Sequence, residues 1–453
     1  MRISRRSLLA GAVAAGLAPR LARSATDADG FQIVRARRTE AMLLADGKTA
    51  TPVWSFSADR QPLAITAKQG QELKLRFFNQ LDAEIWLHFF GVRGPSELMT
   101  LNVPAGGAPV DCVFTPPDAG TFWLGPMADQ SRLRDMGLYA LLIVEEAQAL
   151  PDLANVTLVL DDWKIDDAGA MDQAFGDVES MVGEGRLGNW FTVNSRYRPK
   201  LKLDGGKLAR MRLLNAANMR VMSVLIKGAE PQLIALDGQP VAPRPLGADA
   251  LKLAPGQRAD LLVTPEKLVI LTLDLFEDTV ELGYLAGGGG GSLPLLAADF
   301  RLPANPIATA LDIAAARHVP VLIEGGLKGG LRQALLGGQM TDLRGLLEHG
   351  RGWAINGVAG PGGPPLVEAR RGETLVFDID NRTAFEQVLH VHGHVWREIS
   401  AAEPEQSWRD TCVVAAKSTI SMAIVADNPG AWALQSLSAE RADGGLVAAF
   451  SVA

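Results

Sequence analysis

The chain has 453 residues, 47% of them hydrophobic and 21% charged, enough for about three domains with their own cores and too apolar for a disordered chain. Its formal charge is −7, from 44 basic and 51 acidic residues, which argues against nucleic acid or an anionic membrane surface as the main partner. Two cysteines, Cys112 and Cys412, are too few for a disulfide framework in a chain of this size.

Residues 1–24 read as an export signal. Ser4-Arg5-Arg6-Ser7 precedes an apolar run over 8–17, and Ala22-Arg23-Ser24 supplies a small-x-small cleavage site. Paired arginines ahead of a short apolar segment have the form of a twin-arginine signal, so the expected destination is the periplasm. A plain secretory signal and an uncleaved anchor are the alternatives. The ten residues of the run fall short of the ~20 that a bilayer needs, and no later run reaches that length, so no integral span is expected after signal removal. Removal takes away five arginines and no acids, leaving 39 basic against 51 acidic residues and a charge of −12.

From 31 to 147 short alternating runs are punctuated by Gly, Pro and Asn, with PPDAGTFW and GLYALLIVEE the clearest strands, the pattern of an antiparallel β-sandwich. A second such region runs over 155–300 and ends near the flexible tract AGGGGGS at 286–292. The segment 301–352 is less regular and carries a possible strand, VPVLIEGG, and a helix-like stretch over 331–349; its length suggests that it packs across the molecule. The last region, 353–453, is again strand-like. KQGQELKLRFFNQ, DGGKLARMRLLNA and RRGETLVFDIDNR repeat one pattern of turn, alternating strand and Asn-marked turn. Nine-residue steps lead from Gly70 to Asn79 to His88, from Gly206 to Asn215 to Val224, and from Gly372 to Asn381 to His390.

The histidines fall where the repeats put them. His390, His392 and His394 stand on alternate positions of LHVHGHVW, and alternate residues of a strand share a face. His88, in WLHFFG, is the matching position of the first repeat. Imidazoles converging this way suit copper or zinc; the plainer reading is histidines hydrogen-bonded across a seam between the first and last regions. Cys112 and Cys412 sit in matching halves of those regions, as small buried strand residues or as a bridge between them.

Over nearly the whole chain after the signal, these segments resemble the multicopper oxidases, enzymes of three cupredoxin domains. LHFFGVRG is similar to the family's His-Trp-His-Gly segment, GTFWLGP to Trp-Tyr-His-x-His, VLHVHGHVW to His-Pro-x-His-x-His-Gly, and NPGAWALQSLSAERADGGL to the closing copper segment. The resemblance implies an all-β fold of three consecutive cupredoxin-like Greek-key sandwiches. It also implies a ligand set that this chain has largely lost. The type 1 copper places hold Ser436, Gln387, Arg441 and Leu446, and the trinuclear places hold Phe90, Gly125, Met127, Gln435 and Leu437. Only six histidines are present in the chain, too few for four coppers, so four-electron oxidase chemistry is not expected.

His88, His390 and His392 are the candidate site. They match type 2 copper positions and their neighbour, and three neutral imidazoles suit one Cu(II) or Zn(II) ion, with binding expected to weaken as pH falls through about 6.5. His318, His349 and His394 match no ligand and read as surface or structural residues. Two functions follow. The first is an exported, monomeric scaffold or binding protein with no cofactor, related to the family's copper-free branch of cell-division and stress proteins, acting on an unnamed protein partner in the cell envelope. The alternative is a protein that binds a single copper ion at His88, His390 and His392, as a store, a carrier or a residual oxidoreductase.

Overall fold

The repeated asparagine builds the same corner in each of three β-sandwiches. The computed structural model describes residues 21–453 apart from 46, 48, 59–60, 204–207, 265–267, 276–277, 288–299 and 400–406, so residues 1–20 of the signal and most of the glycine tract lie outside the described residues. The strands that position the site are, in chain order, β1 (Leu73–Asn79), β2 (Ile85–Phe90), β3 (Gly120–Pro126), β4 (Ala209–Asn215), β5 (Arg258–Val263), β6 (Thr374–Asn381), β7 (Gln387–Val391), β8 (Thr411–Val414) and β9 (Gly430–Ser436). Asn79, Asn215 and Asn381 end β1, β4 and β6. Each accepts a hydrogen bond from the backbone N–H two residues on, and each donates its amide to two or three carbonyls, as Asn79 does to Ala83 and Val103. A side chain that mimics a backbone turn while bridging to the next hairpin fixes the angle at which the chain leaves the strand. The strand that follows Asn79 and Asn381 therefore delivers its histidine to an equivalent place.

Each domain is two sheets face to face. The first pairs a six-stranded sheet containing β2 and β3 with a four-stranded sheet containing β1; the second pairs six strands, among them β4 and β5, with five; the third pairs the five-stranded sheet of β6 with that of β7, β8 and β9. One buried core runs through the first and third domains, from Ala22 to Val452, whereas the second has its own. A third cluster, with Phe90, Trp123, Leu214, Val388 and Leu437, lies where all three meet. Cys112 and Cys412 are buried, unbridged strand residues paired with Leu75 and Leu389.

The segment between the second and third domains does pack across the molecule. Asn305 is buried, accepts from Ala119 N at 2.8 Å and donates to the carbonyls of Ala119 and Gly238, so it staples the first domain to the second. VPVLIEGG lies in the strand Arg317–Gly325 of the third domain, parallel to β6. The helix expected over 331–349 is largely a hairpin, with strands Gln333–Leu336 and Gln339–Asp342; only Leu343–Glu348 is helical. Gly337 and Gly338 have φ of 56° and 85°, the pair of left-handed residues that a two-residue hairpin turn requires, and they override the helical character of the flanking leucines. Among the described residues no helix is long and apolar enough to cross a membrane.

Two short helices, α1 (Gln130–Asp135) and α2 (Ala439–Asp443), pack together at the junction of the three domains. Arg134 of α1 donates to the Asn218 side chain and to the carbonyls of Asn218 and Leu437, tying first, second and third domains. Around it burial pushes the carboxyls of Asp135 and Glu440 up to about 7, and raises Asp161 and Asp443 as well. Groups with a higher pKa folded than unfolded bind protons preferentially in the native state, so their contribution to stability is lost as pH rises through the folded value. The contribution of these carboxyls is therefore expected to be lost between about pH 5 and about pH 8, and Glu440→Gln should gain on the parent as pH rises through that range. Thermal unfolding of both proteins across the range checks this; a difference between them that does not change with pH would contradict it.

Candidate metal centre

His88, His390 and His392 meet on the seam between the first and third domains. Antiparallel pairing sets His88 of β2 opposite Gly125 of β3, and His390 of β7 between Thr411 of β8 and Gln435 of β9. All three imidazoles are buried, with 2% exposure or less. Each offers a ring nitrogen within 4.8 Å of those of the other two, and the ring centroids of His88 and His392 are 3.9 Å apart.

Hydrogen bonds fix two of the tautomers. His88 Nδ1 lies 2.8 Å from Thr100 Oγ1, and the single proton of that hydroxyl is directed at Met127 Sδ, so the threonine oxygen accepts from an Nδ1–H on His88. His390 Nδ1 lies 3.2 Å from both Asp410 Oδ1 and Thr411 Oγ1; the Thr411 hydroxyl is already given to Asp410 at 2.6 Å, so His390 too is the donor. The Nε2 atoms of His88, His390 and His392 are all buried without a hydrogen-bond partner. Burial, with the neighbouring histidines adding to it, holds His88 and His392 well below the usual imidazole range. Buried ring nitrogens without a protein partner, brought together from two domains, are what a metal ion needs from histidine, and these residues fit one ion.

Behind the triad the arrangement extends into all three domains. Arg258 of β5, wholly buried, forms a two-pronged ion pair with Asp410, one arm at 3.1 Å, and donates to the carbonyl of Thr121. His390 thus hangs on a carboxylate that the second domain neutralises, and Arg258 and His390 together hold that carboxyl below its usual range. Gly91, at φ 84°, permits this approach: a Cβ there would stand 2.4 Å from both Arg258 Nη2 and Asp410 Oδ2.

Beside the triad Phe90 stacks on Trp123 with ring centroids 4.1 Å apart and planes 10° apart, and Leu437 packs in the same apolar cluster, next to the buried amide of Gln435. At the type 1 position the guanidinium of Arg441 donates to the Glu386 carbonyl and, at 3.4 Å, to Gln387 Oε1, flanked by the rings of Trp353 and Phe385. Ser436 Oγ accepts from Ser438 N instead of facing a metal. A cation already sits there, with hydroxyl and amide groups around it, and no residue offers a soft donor, so a type 1 copper does not fit.

A cavity of about 380 Å³ reaches His88 and His392 from outside, walled by Met127, Val358, Pro364, Leu366 and Trp432. Of the remaining histidines, His394 is buried and structural, with Nδ1 on the carbonyl of His392 at 3.0 Å; His318, paired with Asp378, and His349, on the carbonyl of Gly345, are exposed. Sequence reasoning located the triad but missed Thr100, Asp410 and Arg258 as its support. Asp410 and Thr411 had a signal in the register of their strand against His390; Arg258, from another domain, had none.

A trio of cupredoxin-like sandwiches with a histidine cluster on the seam of the outer two defines a protein of multicopper oxidase architecture. Three multicopper oxidase domain families match residues 38–149, 154–269 and 338–453, and the chain belongs to the multicopper oxidase family. Multicopper oxidase MmcO of Mycobacterium tuberculosis is 24% identical over 96% of this chain and 93% of its own. Cell division protein FtsP is also similar: the Haemophilus influenzae protein is 25% identical over 59% of this chain and 61% of FtsP, and that of Escherichia coli 24% over 48% and 47%, so the chain matches about half to three-fifths of FtsP. Among solved structures, the multi-copper oxidase from Pseudomonas thermotolerans superposes with a TM-score of 0.79 at 28% identity, covering 95% of this chain and 100% of that one.

Proposed function

We propose that this protein is a non-oxidase member of the family, exported to the periplasm, that works in the cell envelope by binding a protein partner. The observation that carries this reading is Arg441. Its guanidinium occupies the place where the family resemblance puts the type 1 centre, and Ser436 stands where the electron-passing thiolate would be. Without that entry point electrons have no route inward. The relatives named for cell division support an envelope role, and the export reading rests on the paired arginines of residues 5–6. The purified, copper-treated protein is expected to show no intense blue band and no turnover of phenols, aromatic amines or Cu(I). Turnover abolished by a chelator and restored by copper would overturn this.

The three bare Nε2 atoms favour a second reading, a single metal ion held by His88, His390 and His392. Such an ion supplies Lewis acidity or a stored charge. The chain's own residues wall one side of the site with the Phe90–Trp123 stack, orient His88 through Thr100 and orient His390 through Asp410. A store or carrier for copper fits this arrangement better than an oxidase does.

A further inference from the structure

Met127 stands where the family resemblance puts a trinuclear histidine, and it lines the same cavity as His88 and His392. We infer that Met127 is a fourth, soft ligand that makes this site selective for Cu(I), an inference that rests on the single-metal reading above.

The strand register places it. His88 pairs with Gly125, and Met127 follows two residues later, with its backbone N–H on the carbonyl of Trp86 at 2.8 Å. That bond continues the pairing one residue past the end of β3 and sets Met127 opposite Trp86, on the side of the sheet that carries His88, while the indole of Trp123 fills the space over Gly125. One hydroxyl ties the two together: Thr100 accepts from His88 Nδ1 and donates to Met127 Sδ at 3.5 Å, which leaves the sulfur a further lone pair. Three rotatable bonds let that sulfur turn toward an ion without moving the strand.

Charge selects the valence. The triad contributes no carboxylate, and the nearest one, Asp410, is already paired with Arg258. A divalent ion brings two uncompensated charges into a buried site and Cu(I) brings one, so desolvation penalises Cu(II) and Zn(II) more. The cavity brings no carboxylate to the site, its side-chain oxygens being those of Ser96, Thr100 and Asn356, whereas thioether and imidazole suit Cu(I).

The test is anaerobic competition for Cu(I) against bicinchoninate, with X-ray absorption of the loaded full-length protein, on the parent and on Met127→Leu. The parent should bind one Cu(I) per chain with one sulfur in its shell. Met127→Leu should lose that sulfur and bind Cu(I) about tenfold more weakly, with Zn(II) affinity unchanged. A sulfur-free shell in the parent, or equal Cu(I) affinities, would overturn this inference and leave the single-metal reading standing. A parent that binds neither Cu(I) nor Cu(II) overturns both.

Discussion

Asp410→Ala should destabilise the protein by about 3–5 kcal/mol, the largest single-residue effect expected here, because it leaves one charge of a buried ion pair without its partner. Arg258 and Asp410 are each fully buried, and once Asp410 is removed the nearest carboxylate left to Arg258 is Asp237, at 3.6 Å. The loss is shared by three domains: Arg258 belongs to the second, Asp410 to the third, and the carbonyl of Thr121 that Arg258 also holds to the first. Unfolding should therefore become less cooperative as well as easier. Chemical denaturation followed by tryptophan fluorescence measures both. Asp410→Asn, which keeps the volume and one acceptor, should recover part of the loss; a variant within about 1 kcal/mol of the parent would show that the junction is held by packing alone.

His88→Ala should reduce copper affinity by about a hundredfold or more, since it is the only triad member from the first domain. His390 and His392 would then face a seam with no donor across it. The same titration in the parent, followed as pH is lowered, separates the structural reading from the one drawn from sequence. Unperturbed imidazoles would begin to compete with copper for protons at about pH 6.5. Burial lowers the pKa of His88 and His392 well below that, so protonation of these two rings is displaced to more acidic solution and parent affinity should hold as pH passes 6.5. Isothermal titration at stepped pH decides; weakening centred on 6.5 would mean that the triad opens to water.

The fold was legible because its periodic marks survive where its chemistry has not. Asn79, Asn215 and Asn381 each close the same local corner, within about five residues of themselves and at the end of one hairpin, so their spacing carries the architecture. The triad was legible for the same reason, as equivalent strands carry His88 and His390. Contacts between distant strands were not. Nothing in a glycine beside Phe90 announces the Arg258–Asp410 pair pressed against it, and nothing in Thr100 announces that it holds both His88 and Met127. The hairpin at Gln333–Asp342 was missed because leucines around Gly337-Gly338 were weighed by helical period rather than by the turn the two glycines make.

A protein of this family that cannot run the four-copper oxidase reaction should hold at most one metal ion per chain. Metal analysis and paramagnetic resonance of protein exported by copper-supplemented cells tests this most directly. The expected result is at most one copper per chain, no blue type 1 signature, and loss of any bound copper in His88→Ala. Three or four coppers per chain with a type 1 signal, or one copper that remains when His88 is gone, would contradict it.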